Sequence, residues 1–425
     1  ILKIGSTTVT SGVANVVNAG AHTASEINIP GYTAGVWGAD CAANGSVTLA
    51  PGENKTCSIT NDDQPSRIIL KKVVINNNGG TAGVNDFGLT VGGNPVTSGA
   101  TTTVNSNTQV ALNEAGLTGY SFVSLTGDAK CPQTLGGTVT LDEGETVTCT
   151  ITNDDIAPRL TVIKHVINDN GGTATASNFT MNVTGTNVST PSFPGAEAPG
   201  TTVTLNAGAY SADENAFVGY AKTIGANCSG TIAVGETKTC TITNDDIAPT
   251  LTLNKIVIND NGGNATTTDF QGKINNGNVV WGVANTLSAN VLYTATETNL
   301  PGYTAGTWTG DCTSGGTITL QPGDNKVCTI TNDDQAAHII LNKIVINNNG
   351  GTANQDQFGL TVAGNPVTSG FNSAVNANVA IALNETGLAG YNFVSLTGDN
   401  KCPGVLGGTV TLDEGEIVSC DITND

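Results

Sequence analysis

Long apolar runs are missing from this chain, and none approaches the roughly 18 consecutive residues a helix needs to cross a bilayer. Insertion into a membrane as a helix is excluded. Methionine occurs once in 425 residues, charged residues make up 12% and aromatics 4%, a composition far from that of a helical enzyme. Cationic side chains are scarce: 15 Lys and Arg stand against 35 acidic residues, for a net charge of −20. Nucleic acid and anionic lipid are excluded as partners, because both are held by clustered Lys or Arg. No secretory leader is visible, and Ile1 falls in the middle of a repeat, so the chain reads as a processed or excerpted piece. What the sequence has in abundance is glycine, 54 residues, with Thr, Asn and Val. That is the composition of short strands joined by many turns.

The turns recur. An I-T-N-D phrase closes a unit at Asn61, Asn153, Asn244, Asn332 and Asn424, and an N-[ND]-N-G-G turn follows an opening strand at Gly79, Gly171, Gly262 and Gly350. The units are 1–64 (truncated), 67–155, 158–246, 249–334 and 338–425, each complete one being the size of a single sandwich domain. The fold class expected is all-β, a tandem array of small immunoglobulin-like β-sandwiches. A longer period lies above the first, since Gly79 recurs as Gly350 and Pro30 as Pro301 at the same offset. Domain types therefore run A, B, C, A, B. The linkers NDDQPS, NDDIAPR, NDDIAPT and NDDQAAH are short, and the proline in three of them restricts the backbone. Neighbouring units are expected to be semi-rigid.

Side chains alternate with period two along a strand, which fixes who faces the core. In the opening strand Lys72 shares a face with Leu70 and Val74, Lys164 with Val162 and Val166, Lys255 with Leu253 and Val257, and Lys343 with Leu341 and Val345. In the closing strand Asn153, Asn244, Asn332 and Asn424 share a face with the preceding Ile and Cys. Between them, Glu26, Glu114, Glu214, Glu297 and Glu385 each stand six residues before a Tyr, among mostly apolar same-face neighbours. Each core is thus offered one Lys, one Glu and one Asn, and burying them apart costs several kcal/mol per ion. Together they carry a chemistry. Desolvation lowers a Lys pKa and raises a Glu pKa, so the pair can be neutral amine and carboxylic acid. The amine is then a nucleophile, the acid polarises the Asn side-chain carbonyl, and loss of ammonia leaves a Lys-Asn isopeptide bond. The alternative is a buried ion pair beside an Asn that never reacts, or a Lys whose stem packs while its head reaches the rim.

The stretch YTATETNLPGY, Tyr293 to Tyr303, resembles the Y-x-L-x-E-T-x-x-P-x-G-Y signature of the Cna-B or prealbumin-like repeats of collagen adhesins and Gram-positive pilins. The resemblance implies a reverse immunoglobulin-like sandwich. It also implies self-generated isopeptide bonds, with Glu114, Glu214, Glu297 and Glu385 promoting the joining of Lys72 to Asn153, Lys164 to Asn244, Lys255 to Asn332 and Lys343 to Asn424. The sequence departs from the signature where Ala295 replaces the usual Leu, where the B and C units lack the Pro, and in carrying cysteines. The first unit keeps Glu26 and Asn61 but lacks the strand that would bear its Lys. That strand comes from a preceding segment or from a partner chain, and the residues do not choose.

Ten cysteines fall as one pair per unit: Cys41 and Cys57, Cys131 and Cys149, Cys228 and Cys240, Cys312 and Cys328, Cys402 and Cys420. A disulfide in each is expected, because two thiolates with no recurring His would leave half a zinc shell empty. Disulfides place the chain outside the cell, at its surface. No metal or cofactor is expected in the domains. Calcium at the Asn-Asp-Asp linkers is the minor alternative to solvated turns. Sequons at Asn44, Asn178 and Asn264 permit glycans. With no recurring nucleophile or phosphate loop, the expectation is a non-enzymatic stalk, pilus-like fibre or filament whose partners are further copies of the same repeats. The rival is an adhesin for a glycan or host-surface ligand, with Trp37, Trp281 and Trp308 of the A units as its face.

Overall fold

A computed structural model describes residues 1–425. The regular elements are strands and four single-turn 3-10 helices. Contacts gather the chain into two compact units, one of Ile1–His165, Ala176–Asn215 and Ile224–Ile242, the other of Val166–Thr175, Ala216–Thr223 and Thr243–Asp425. Repeats one and two belong to the first, four and five to the second, and the third contributes to both.

Repeat two shows the plan. One sheet runs in the order Thr101–Val104, Ser66–Ile75, Thr146–Asp155, Tyr120–Gly127, and the facing sheet in the order Asn94–Pro95, Gly88–Val91, Gln109–Ala115, Thr138–Thr140. The opening strand Ser66–Ile75 and the closing strand Thr146–Asp155 lie side by side and parallel, with Lys72 opposite Ile151 and Val74 opposite Asn153. Alternation does the rest: Ile68, Leu70, Leu89, Leu112, Leu125, Val147, Cys149 and Ile151 meet as one core. Repeats four and five repeat this plan, with Lys255 opposite Ile330, Val257 opposite Asn332, Lys343 opposite Ile422 and Val345 opposite Asn424. In repeat three the sheet Ser192–Pro194, Thr180–Thr184, Gly208–Glu214, Ser229–Ile232 corresponds to the facing sheet of repeat two. The array is all-β and built of tandem immunoglobulin-like sandwiches.

Repeat one is present from the second strand of the plan onward. Its closing strand Asn61–Asp63 pairs with Tyr32–Ala34 alone, and of its apolar residues only Ala24 and Cys41 are buried.

Disulfides join Cys41–Cys57, Cys131–Cys149, Cys228–Cys240, Cys312–Cys328 and Cys402–Cys420, and no cysteine is free. In repeats two to five each ties the closing strand to the segment before it, and closing loops of this length stabilises by about 3 kcal/mol in the chain-entropy account.

Candidate functional site

The opening and closing strands bring a Lys and an Asn onto one inner face, and the facing sheet supplies the Glu. In repeat two the Lys72 Nζ lies 2.9 Å from Glu114 Oε2, in repeat three Lys164 lies 3.3 Å from Glu214, in repeat four Lys255 lies 2.6 Å from Glu297, and in repeat five Lys343 lies 3.1 Å from Glu385. The lysine side chains have no solvent exposure and the glutamates at most 4%. Asn153, Asn244, Asn332 and Asn424 are buried as well. Burial pushes the Lys72, Lys255 and Lys343 amines below the ordinary lysine value of 10.5, and the adjoining carboxylate opposes that shift in each case. Lys255 makes an aligned hydrogen bond to Glu297. Lys72 approaches Glu114 without that alignment, so its Nζ and the facing oxygen are both unsatisfied.

The asparagines show the same deficit. Neither amide atom of Asn332 or Asn424 has a hydrogen-bond partner, and the carbonyl oxygens of Asn153 and Asn244 lack one too. An unpaired buried amide group costs about 1–3 kcal/mol, and here the deficit recurs at one position in every complete repeat. In repeat one Asn61 donates to Glu26 at 3.1 Å while the other Glu26 oxygen is shielded and unpartnered.

Two features of the site escaped the reading of the sequence. A phenylalanine ring lies beneath each amine, at 4.2 Å for Phe87 under Lys72, 4.3 Å for Phe179 under Lys164, 4.1 Å for Phe270 under Lys255 and 4.3 Å for Phe358 under Lys343. The signal was available, since each Phe follows the first Gly of the turn at one fixed spacing. The other feature is the last Asp of the N-D-D phrase. Asp155 accepts backbone N–H groups of Asn77, Asn78 and Gly80, Asp246 those of Asn170 and Gly172, and Asp334 those of Asn261 and Gly263. These carboxylates hold the N-[ND]-N-G-G hairpin. At two junctions, Asp169 with Asp245 and Asp246, and Asp260 with Asp333 and Asp334, three carboxylates converge. The buried member of each trio, Asp246 or Asp334, is also the one bonded to the hairpin amides.

Of the three tryptophans, one is buried and the other two are half-buried. Trp308 is buried in the core of repeat four, and Trp281 donates from Nε1 to the Phe270 carbonyl at 2.7 Å. Trp37, in repeat one, is half-buried. The two tryptophans of repeat four are used internally and do not form an exposed face.

Among solved structures the chain is similar to the Bacillus anthracis TIE protein, at 13% identity over 100% of this chain and 75% of that one, with a TM-score of 0.40. It is also similar to the major pilin T-13 of Streptococcus pyogenes, at 12% identity over 42% of this chain and 97% of that one, with a TM-score of 0.22. Two B repeat units of the collagen binding protein of Staphylococcus aureus match at 14% identity over 85% of this chain and 100% of theirs, with a TM-score of 0.18. No curated protein matches. The prealbumin-like fold domain matches five times, at residues 3–59, 63–151, 155–244, 245–330 and 334–422. Those matches tile almost the whole length on the repeats described above, and the chain belongs to the prealbumin-like fold domain family.

Proposed function

We propose that this chain is a load-bearing segment of an extracellular surface stalk or fibre, in which each complete repeat is closed by a Lys-Asn isopeptide bond as well as a disulfide. The observation that carries the reading is the recurring deficit of hydrogen bonds at the buried Glu and Asn, beside a Lys Nζ held 2.6–3.3 Å from the Glu in every complete repeat. In the reaction, the Lys Nζ attacks the Asn Cγ, the Nζ–Cγ bond forms, the Cγ–Nδ2 bond breaks, and ammonia leaves. The Glu receives a proton from the amine and returns one to the departing nitrogen, so no oxidant or co-reactant is needed. The product has neither the charged lysine ammonium nor the Asn side-chain nitrogen, which is unpaired in Asn332 and Asn424. Glu114, Glu214, Glu297 and Glu385 promote the step, and catalysis is confined to the chain's own bonds.

The mechanical consequence follows from the topology. Lys and Asn sit on adjacent parallel strands, the first and last of a repeat. Tension that enters by one and leaves by the other passes through the crosslink and bypasses the sheet's hydrogen bonds. The partners of such a chain are further repeats or copies, and the five disulfides suit an oxidising extracellular surface. The adhesin reading is less well supported, because Trp281 and Trp308 are used internally. Pulling the oxidised chain by its ends tests the proposal: a repeat without the isopeptide releases a step of about 23 nm, for the ~65 residues left outside its disulfide loop, and crosslinked repeats release none. Four such steps would overturn it.

A further inference from the structure

We propose that the N-[ND]-N-G-G hairpin is a docking knob that, together with the linker, locks repeats two, three and four each to the next at two points, so that these repeat boundaries are fixed joints. The joints do not depend on the isopeptide bonds.

The knob meets the turn ahead of the central strand in the following repeat. Asn78 accepts the Ala207 backbone N–H at 2.8 Å, Asn170 accepts that of Ala289 at 2.7 Å, and Asn261 accepts that of Ala377 at 2.8 Å. Side chains of the receiving turn answer, with Asn290 donating to the Gly171 carbonyl at 2.8 Å and Asn378 to the Gly262 carbonyl at 3.1 Å. The fit leaves no room for a side chain. A Cβ on Gly79 would meet Ala207 backbone atoms at 2.8 Å, and one on Gly171 or Gly262 would fall on the carbonyl oxygen of Ala289 or Ala377.

The linker is the second point. Gln64, Ile156, Ile247 and Gln335 each donate their backbone N–H to a glycine carbonyl of the repeat before, on Gly31, Gly119, Gly219 and Gly302. Each then accepts from a glycine N–H of the repeat after, on Gly144, Gly235, Gly323 and Gly415. Two separated contacts remove the swivel that one would leave.

Two internal comparisons bear on the proposal. Repeats two and five carry Asn77 and Asn348 where repeats three and four carry Asp169 and Asp260, yet Asn78 docks as Asn170 and Asn261 do. The central carboxylate, and any ion it might share, is dispensable for docking. In repeat five Gly350 holds φ +87°, matching +91° at Gly262, with nothing within 4 Å. The knob is therefore shaped by its own repeat and by Asp155, Asp246 or Asp334 where present, before a neighbour arrives.

Hydrogen exchange of the full chain tests this. Ser106 occupies the receiving turn of repeat two, where no knob docks, and is the internal reference. The amides of Ala289 and Ala377 should exchange about a hundredfold more slowly than that of Ser106, with and without a calcium chelator. The variants Gly262→Ala and Gly350→Ala impose the same backbone strain, but only the first collides with a neighbour. Gly262→Ala should bring Ala377 close to the Ser106 rate, and Gly350→Ala should leave it protected. Exchange of Ala377 at the Ser106 rate in the unaltered chain would overturn the proposal. So would equal effects of the two variants, or release of Ala377 by the chelator. If Gly262→Ala unfolds repeat four, the comparison within the unaltered chain still decides.

Discussion

Replacing Lys255 and Glu297 together by Met and Leu separates a crosslink from an ion pair, because the two predict opposite signs. Both side chains are shielded from water, at 0% and 4% exposure, and they lie 2.6 Å apart. If they are only an ion pair, exchanging them for apolar residues of similar volume is neutral or stabilises by about 1–4 kcal/mol, since the desolvation cost of two ions disappears. If Lys255 is bonded to Asn332, the exchange opens a closed loop of about 80 residues and restores its chain entropy to the unfolded state, a loss of about 4.5 kcal/mol. For a domain of this size each kcal/mol moves the melting temperature by about 4–8 °C, so repeat four should melt some 20–35 °C below its neighbours. Differential scanning calorimetry would show one transition leaving the envelope, and exchange of the Leu251 and Leu253 amides would assign it to repeat four. A double variant that melts with or above the unaltered chain would refute the reasoning.

Non-reducing peptide mapping should join each cysteine only to its partner within the same repeat, and any link between repeats would overturn the domain plan. In a Glu297→Gln chain Lys255 remains an amine held by burial below its ordinary value of 10.5. The unfolded chain then binds the extra proton, so the stability of that repeat should rise with pH through the window from the depressed value up to about 10.5. A flat or falling profile in chemical denaturation would contradict it. Tyr303→Phe removes a hydroxyl that donates to Asn259 Oδ1 at 2.6 Å and accepts from the Ala265 N–H at 3.0 Å. The loss should be about 1–3 kcal/mol, seen as faster exchange at Ala265, and an unchanged rate would remove the tyrosine from the account of the hairpin.

Much of this was legible in the residues because strands report their faces by alternation. The phase of Lys72 with Leu70 and Val74 placed it inside, and the same logic placed Asn153 with Ile151 and Cys149. Five cysteine pairs at regular positions announced their bonds. The phenylalanines under the amines were not read, since the sequence of the 3-10 turn that carries Phe87, Val84–Asp86, has no periodicity to betray its face. The hairpin was read correctly as a turn, but its contact with Ala207 pairs residues 129 positions apart in the neighbouring Asn77–Asn206 bond, and such a distance leaves no local pattern. The acidic Asn-Asp-Asp phrase was visible as charge, whereas the backbone amides that bond Asp334 leave no mark in the residues.

The crosslink is tested most directly by the intact mass of the unaltered chain, folded and oxidised. Repeats two to five should each be lighter than their sequence by one ammonia, about 17 Da, beyond the hydrogens lost to five disulfides. Digestion should then yield branched peptides joining Lys72 to Asn153 and Lys255 to Asn332. A mass equal to the disulfide-bonded sequence alone would contradict the account.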